Sequence, residues 1–152
     1  MPTRVLVVGI LRGSRRGSRF HSQKYRTDIK KLLEDHLTAV EVHSPIESAQ
    51  DMHDYGLVKG IEAFFDIVRR AAQYDALVVY IPEASMGSAI MMWEAFRNQR
   101  PIVAISPLKD NRTIRALTTV RCKDLKEFRT FVRSGQFAAL LDKSNVDRAK
   151  QQ

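Results

Sequence analysis

The chain has 152 residues, 44% hydrophobic and 28% charged, the make-up of one globular domain with enough apolar mass for a core. A single cysteine, Cys122, excludes a disulfide framework and a cysteine-rich metal site, and it fits a reducing compartment such as the cytoplasm. The net charge of +8 suits anionic ligands, but nucleic acid is not an expected partner, because charge alone argues for it and interleaved exposed aromatics are missing. No stretch approaches a membrane span, and Val5 to Leu11 is too short for a signal h-region followed by a cleavage site.

Arg4 to Gly9 reads as the first strand, its Val5-Leu6-Val7-Val8 run apolar on both faces as in a parallel sheet. The loop Leu11-Arg12-Gly13-Ser14-Arg15-Arg16-Gly17-Ser18-Arg19 follows at the carboxyl edge, where open α/β sheets take ligands. It is either a phosphate-binding loop or a solvated basic one. Ser22 is expected to cap a helix running to about Leu37, with Tyr25, Ile29, Leu32 and Leu33 on one face. Ala39 to His43 reads as a second strand and Ile46 to His53 as a polar loop.

Asp54 to Gln73 has the spacing of a long amphipathic helix through Leu57, Ile61, Phe64, Phe65 and Val68. Asp66 stands among those apolar residues, either as a surface side chain on the helix flank or as a functional carboxylate. Ala76 to Ile81 is the third strand, stopped by Pro82. Glu83 opens the next loop, and Ser85 to Ser88 lead into a helix expected from Ser88 to about Arg97. Unpaired N–H groups at a helix start attract anions, so this segment is an anion site or an ordinary strand-to-helix turn. Trp93 and Phe96 give that helix more apolar surface than one sheet face needs, which points to a homodimer.

Pro101 to Ile105 is the fourth strand and Ser106 to Asn111 its loop. Arg112 to Leu117 is a short helix, Thr118 to Arg121 a fifth strand and Asp124 to Arg133 a further helix. Phe137 to Leu141 is expected to pack one last apolar turn. The alternation predicts a Rossmann-like, doubly wound α/β sandwich around a five-stranded parallel sheet. Residues 1–141 form the expected single domain and 142–152 a frayed polar tail, with no internal repeat.

Three segments together resemble the nucleoside 2-deoxyribosyltransferase superfamily: Gly9-Ile10-Leu11-Arg12-Gly13; Ala84-Ser85-Met86-Gly87-Ser88-Ala89-Ile90-Met91-Met92-Trp93-Glu94-Ala95; and Ile105-Ser106-Pro107-Leu108 with Asn111 and Arg115 behind it. The similarity leans toward its nucleotide-hydrolysing members, the 2′-deoxynucleoside 5′-phosphate N-hydrolases and CMP N-glycosidases. The resemblance implies a dimer that acts at C1′ of a nucleoside or nucleoside 5′-monophosphate without a cofactor or metal. It implies Gly9, Leu11, Arg12, Gly13, Ser85 and Gly87 as phosphate or substrate contacts, and Asn111 as a polar residue reaching a neighbour's site.

The superfamily's motif carries a glutamate four residues after the glycine, where this chain has Met91. A carboxylate suits an oxocarbenium-like transition state and a thioether does not, so Met91 reads as core packing. Glu94 and Glu83 remain as carboxylates to take over that work, and the resemblance places Asp66 approximately at the superfamily's second acid, on the helix before the third strand. Two alternatives stand beside this reading. One is a nucleotide-binding protein without catalysis. The other is a flavodoxin-like FMN-dependent reductase, since Arg12-Gly13-Ser14 with Ser18 is similar to that phosphate loop. The loop after the third strand, however, lacks the aromatic and asparagine expected beneath a flavin ring.

Overall fold

The strands are β1 (Thr3–Gly9), β2 (Val40–His43), β3 (Ala76–Tyr80), β4 (Ile102–Ile105) and β5 (Val120–Cys122). In the computed structural model, which describes residues 1–16, 19–45 and 56–151, they form one sheet in the order β2-β1-β3-β4-β5. All four pairings are parallel. Helices α1 (Lys24–His36), α2 (Leu57–Ala71), α3 (Met86–Arg97), α4 (Arg112–Leu117), α5 (Leu125–Arg133) and α6 (Gln136–Ala149) cover both faces. This is the doubly wound sandwich expected from the alternation.

Side chains of a strand alternate between faces, and here both faces are buried. Val5, Val7, Val78, Val103 and Ile105 point into a layer with Tyr25, Ile29 and Leu33 of α1, Phe128 of α5 and Phe137 and Leu141 of α6. Leu6, Val8, Leu77, Val79, Ile102 and Ala104 point the other way, against Ala71 of α2, Met92 and Ala95 of α3 and Ile114 of α4. The chain winds outward from β1 through α1 to β2, then returns to β3 through α2 on the opposite face. Neighbouring β1 and β3 therefore define the point where winding reverses, the place where open α/β sheets leave a crevice at their carboxyl ends.

Several boundaries differ from expectation. Helix α1 starts at Lys24 with Gln23 in the N-cap position, one residue later than the expected Ser22 cap, although Ser22 Oγ accepts from Lys24 N–H at 3.4 Å. The Gln23 side chain turns to the end of β1, where Nε2 donates to the Ile10 carbonyl at 3.2 Å. Helix α3 starts at Met86, two residues before the expected Ser88, because Ser85 is its N-cap. The residues from Asp142 are not a frayed tail, for α6 is continuous through Ala149. Buried Phe137 and Leu141 anchor its first turns, and Arg148 pairs with Asp75 at 3.0 Å near its end. Gly135, at φ +81°, makes the left-handed turn that separates α5 from α6. The expected loop Ile46 to His53, the expected helix start at Asp54 and the residue Ser18 lie outside the described residues.

Candidate functional site

The crevice is built first from backbone. Gly9 is the register partner of Tyr80, and a Cβ on it would lie 2.6 Å from the Tyr25 hydroxyl and 2.7 Å from the Tyr80 carbonyl. Glycine is required there for close approach. The Ile10 N–H donates to the Tyr80 carbonyl at 2.9 Å, carrying the pairing one residue past the strand. His21 N–H then donates to the Leu11 carbonyl at 2.7 Å and ties the loop's two ends together. At the loop's tip Arg15 N–H donates to the Arg12 carbonyl at 3.0 Å.

Beneath the loop lies a buried polar cluster that sequence reasoning passed over. Tyr25 donates from its hydroxyl to the Ile10 carbonyl at 3.2 Å, and Arg26 Nε donates to Gln23 Oε1 at 2.8 Å. The Arg26 guanidinium also reaches the Val7 and Gly9 carbonyls at 3.4 and 3.5 Å. Burial pushes the Tyr25 hydroxyl up to about 12 and the Arg26 guanidinium below its usual value. These groups hold the end of β1 rather than meet solvent. Their only sequence signal was polar residues on the inward face of a helix.

Of the loop's arginines, Arg12 lays its guanidinium over the Phe20 ring at 4.8 Å, and Arg15 Nη1 donates to the Phe20 carbonyl at 2.9 Å. Arg12, Arg15, Arg16 and Arg19 are all exposed, leaving a positive rim at the carboxyl edge. Gly13 takes φ +56°, and a Cβ there would stand 2.4 Å from Glu83 Oε1 and 2.8 Å from Ile10 Cδ1. The first loop and the β3 loop thus meet at Gly13. Glu83 Oε1 lies 2.8 Å from His21 Nε2, a partner 62 residues away that sequence reasoning did not single out.

The other candidates separate into two places. Ser85 caps α3, its Oγ accepting from Ser88 N–H at 3.4 Å and donating to Ser88 Oγ at 3.0 Å. Asn111 caps α4, accepting from Ile114 N–H at 3.1 Å. Both line a 180 Å³ cavity, so the structure brings Ser85 and Asn111 together, each in a capping role. Gly87 faces α2, where a Cβ would make an ordinary 3.5 Å contact with the Phe64 ring. Between the first loop and α2 runs an apolar groove of 570 Å³, lined by Leu11, Leu57, Ile61, Phe64, Phe65 and Ile67 among others.

The carboxylates divide as clearly. Asp66 pairs with Arg70 at 3.1 Å along α2, and Glu94 pairs with Arg97 at 2.8 Å and accepts from Asn98 at 3.2 Å along α3. Neither lines the groove or the smaller cavity. Met91 is partly buried and packs against the core layer of Met92 and Ala95, as Ile67 and Leu108 do. Glu83 alone among the three acids stands at the first loop. Cys122 is buried, and burial pushes its thiol up to about 11. Among the described residues no group of three or more His, Cys, Asp or Glu side chains is placed to hold a metal ion, and no helix is long and apolar enough to cross a membrane.

No protein-family model matches the chain, and no curated protein matches it. Solved structures do share its fold. A 2-deoxyribosyltransferase from Bacillus psychrosaccharolyticus superposes with a TM-score of 0.57 over 82% of this chain and 90% of that one, at 14% identity. The flavoenzyme FerB, an NAD(P)H:(acceptor) oxidoreductase from Paracoccus denitrificans, gives 0.50 over 94% and 97%, at 15% identity. A 3-dehydroquinate dehydratase-like protein from Bifidobacterium longum gives 0.45 over 88% and 94%, at 12% identity. At the level of fold, the chain is similar to the deoxyribosyltransferase.

Proposed function

We propose that the chain binds a nucleoside 5′-monophosphate across the carboxyl ends of β1 and β3 and cleaves its N-glycosidic bond. The C1′–N bond breaks, water supplies the new C1′–O bond, and the base leaves with a proton. The observation that carries this reading is the meeting at Gly13 of the arginine-rimmed first loop and the Glu83 carboxylate, in the loop whose Leu11 lines the apolar groove. Arg12, the loop N–H groups and the start of α3 at Gly87 receive the phosphate. The groove beside Phe64 and Phe65 takes the base. Glu83 offers the negative charge that an oxocarbenium-like C1′ needs, and Met91 serves as packing. The deoxyribosyltransferase of the same fold supports the reaction class, and the exposed arginines of the first loop support the phosphate.

Base release from a panel of nucleoside monophosphates tests this, with Glu83→Gln as the control. We expect turnover by the native protein and its loss in the variant. Acceleration by an added second base would make the activity a transfer. Tight binding without base release would make the chain a binding protein that has lost catalysis. The groove also suits a flat flavin ring, and protein that purifies yellow would favour the FMN-dependent reductase instead.

We further propose that the protein is a cytoplasmic homodimer. Leu57, Val58, Ile61 and Phe65 of α2 and Met86, Ile90, Trp93 and Phe96 of α3 are all exposed. Trp93 and Phe96 stack at 6.0 Å between ring centres, and the two helices carry this surface on the same layer. Exposed apolar faces of this extent mark association sites. A second copy covering α2 and α3 would also flank the groove, which Leu57, Ile61 and Phe65 line.

A further inference from the structure

Glu83 follows β3 on a segment without regular structure, and its side chain has three rotatable bonds. A carboxylate so placed needs something to orient it. His21 is fixed where Glu83 is not. Its N–H is bound to the Leu11 carbonyl at 2.7 Å, and its own carbonyl accepts from Gln23 Nε2 at 2.7 Å. Gln23 is itself buried and bonded to Ile10 and Arg26. The His21 backbone is thus held at both its N–H and its carbonyl, its side chain is 15% exposed against 45% for Glu83, and the two side chains meet at 2.8 Å.

We propose that His21 is a positioning residue for Glu83. Its Nε2–H takes one carboxylate oxygen and holds the group over Gly13, leaving the other oxygen to face a ligand. Gly13 completes the arrangement, since any side chain there would occupy the carboxylate's place. The pair is part-buried and sits between two loops, and its effect is expected in turnover rather than in melting. The inference rests on the reading of Glu83 given above.

The test measures kcat, KM and melting temperature for base release in the native protein, His21→Leu, His21→Gln, His21→Asn and Glu83→Gln. Glutamine places an N–H near the position of Nε2, while asparagine places its N–H near Nδ1, which has no part in the pair. We expect His21→Leu and His21→Asn to lower kcat by about 10²-fold, as a misplaced reacting group does. KM should stay within about twofold, the signature of an interaction used in the transition state. His21→Gln should recover most of kcat. Equal loss of kcat in His21→Gln and His21→Asn would overturn the inference, and that contrast survives if His21→Leu does not fold. Unchanged kcat in the histidine variants, with Glu83→Gln inactive, would overturn it and leave the role of Glu83 intact. Full turnover by Glu83→Gln, or none by the native protein, would overturn the reading of Glu83 and the inference with it.

Discussion

The two helical layers on this sheet are finished to different degrees. The sheet contributes alike to both, Val5 and Val7 on one side and Leu6 and Val8 on the other. The layer of α1, α5 and α6 is closed by rings. Phe128 and Phe137 are wholly buried and meet edge to face at 6.0 Å, and Val146 is the large apolar residue those helices leave exposed among the described residues. The layer of α2, α3 and α4 buries Met92, Ala95 and Ile114, yet leaves large side chains of α2 and α3 in solvent. One layer does the work of stability. The other keeps the groove and the apolar face that a ligand and a second copy would cover.

Phe137→Ala should break the closed layer and have the largest effect, about 3–5 kcal/mol of lost stability by denaturant titration, because no neighbour can refill a fully buried ring's volume. Below its lowered melting temperature it should still bind nucleotide. Trp93→Lys should act on the open layer instead, weakening self-association by about 2 kcal/mol or more and leaving the folded monomer nearly as stable. Light scattering across a concentration series checks this, and a native protein that is monomeric at micromolar concentration would refute the dimer.

Gly13→Ala should cost about 1–3 kcal/mol, since it places a Cβ at positive φ against Glu83 and Ile10. It should reduce base release more than chemical denaturation suggests, because it displaces the carboxylate. Gly87→Ala should have the smallest effect and the opposite sign, a gain of about 0.5–1 kcal/mol in melting experiments. Its new Cβ meets the Phe64 ring at an ordinary 3.5 Å, and alanine favours the helix.

The sheet was legible in the sequence because β1, β3 and β4 are continuous apolar runs, which only a strand covered on both faces explains. The starts of α4 and α5 were legible to within a residue, and the structure adds the caps that fix them, Asn111 and Asp124. Helix α6 was not, since beyond Leu141 its residues are mostly polar and an ion pair distant in sequence, Arg148 with Asp75, ties down its end. Ser85 was singled out for its hydroxyl, but its use as the α3 cap shows only in three dimensions. The first loop's glycines were legible as glycines. What makes Gly13 necessary, the Glu83 carboxylate held by His21, joins residues whose spacing follows no helical or strand period. Arg26 was hidden for a simpler reason. It lies on the same helical face as Tyr25 and Ile29, where an arginine reads as a break in the pattern, and carbonyls at the end of β1 satisfy it.

The central claim, that the carboxyl edge between β1 and β3 receives a nucleoside monophosphate through its first loop, is tested most directly by calorimetry. Native protein and Arg12→Ala are titrated with a nucleoside 5′-monophosphate and with the matching nucleoside. Arg12 is exposed and its guanidinium rests on Phe20, so its removal disturbs no buried group. A charge-assisted bond to phosphate is worth about 1.5–3 kcal/mol, so the variant should bind the monophosphate some 10–100-fold more weakly and the nucleoside unchanged. Equal losses for the two ligands, or no binding of either by the native protein, would contradict it.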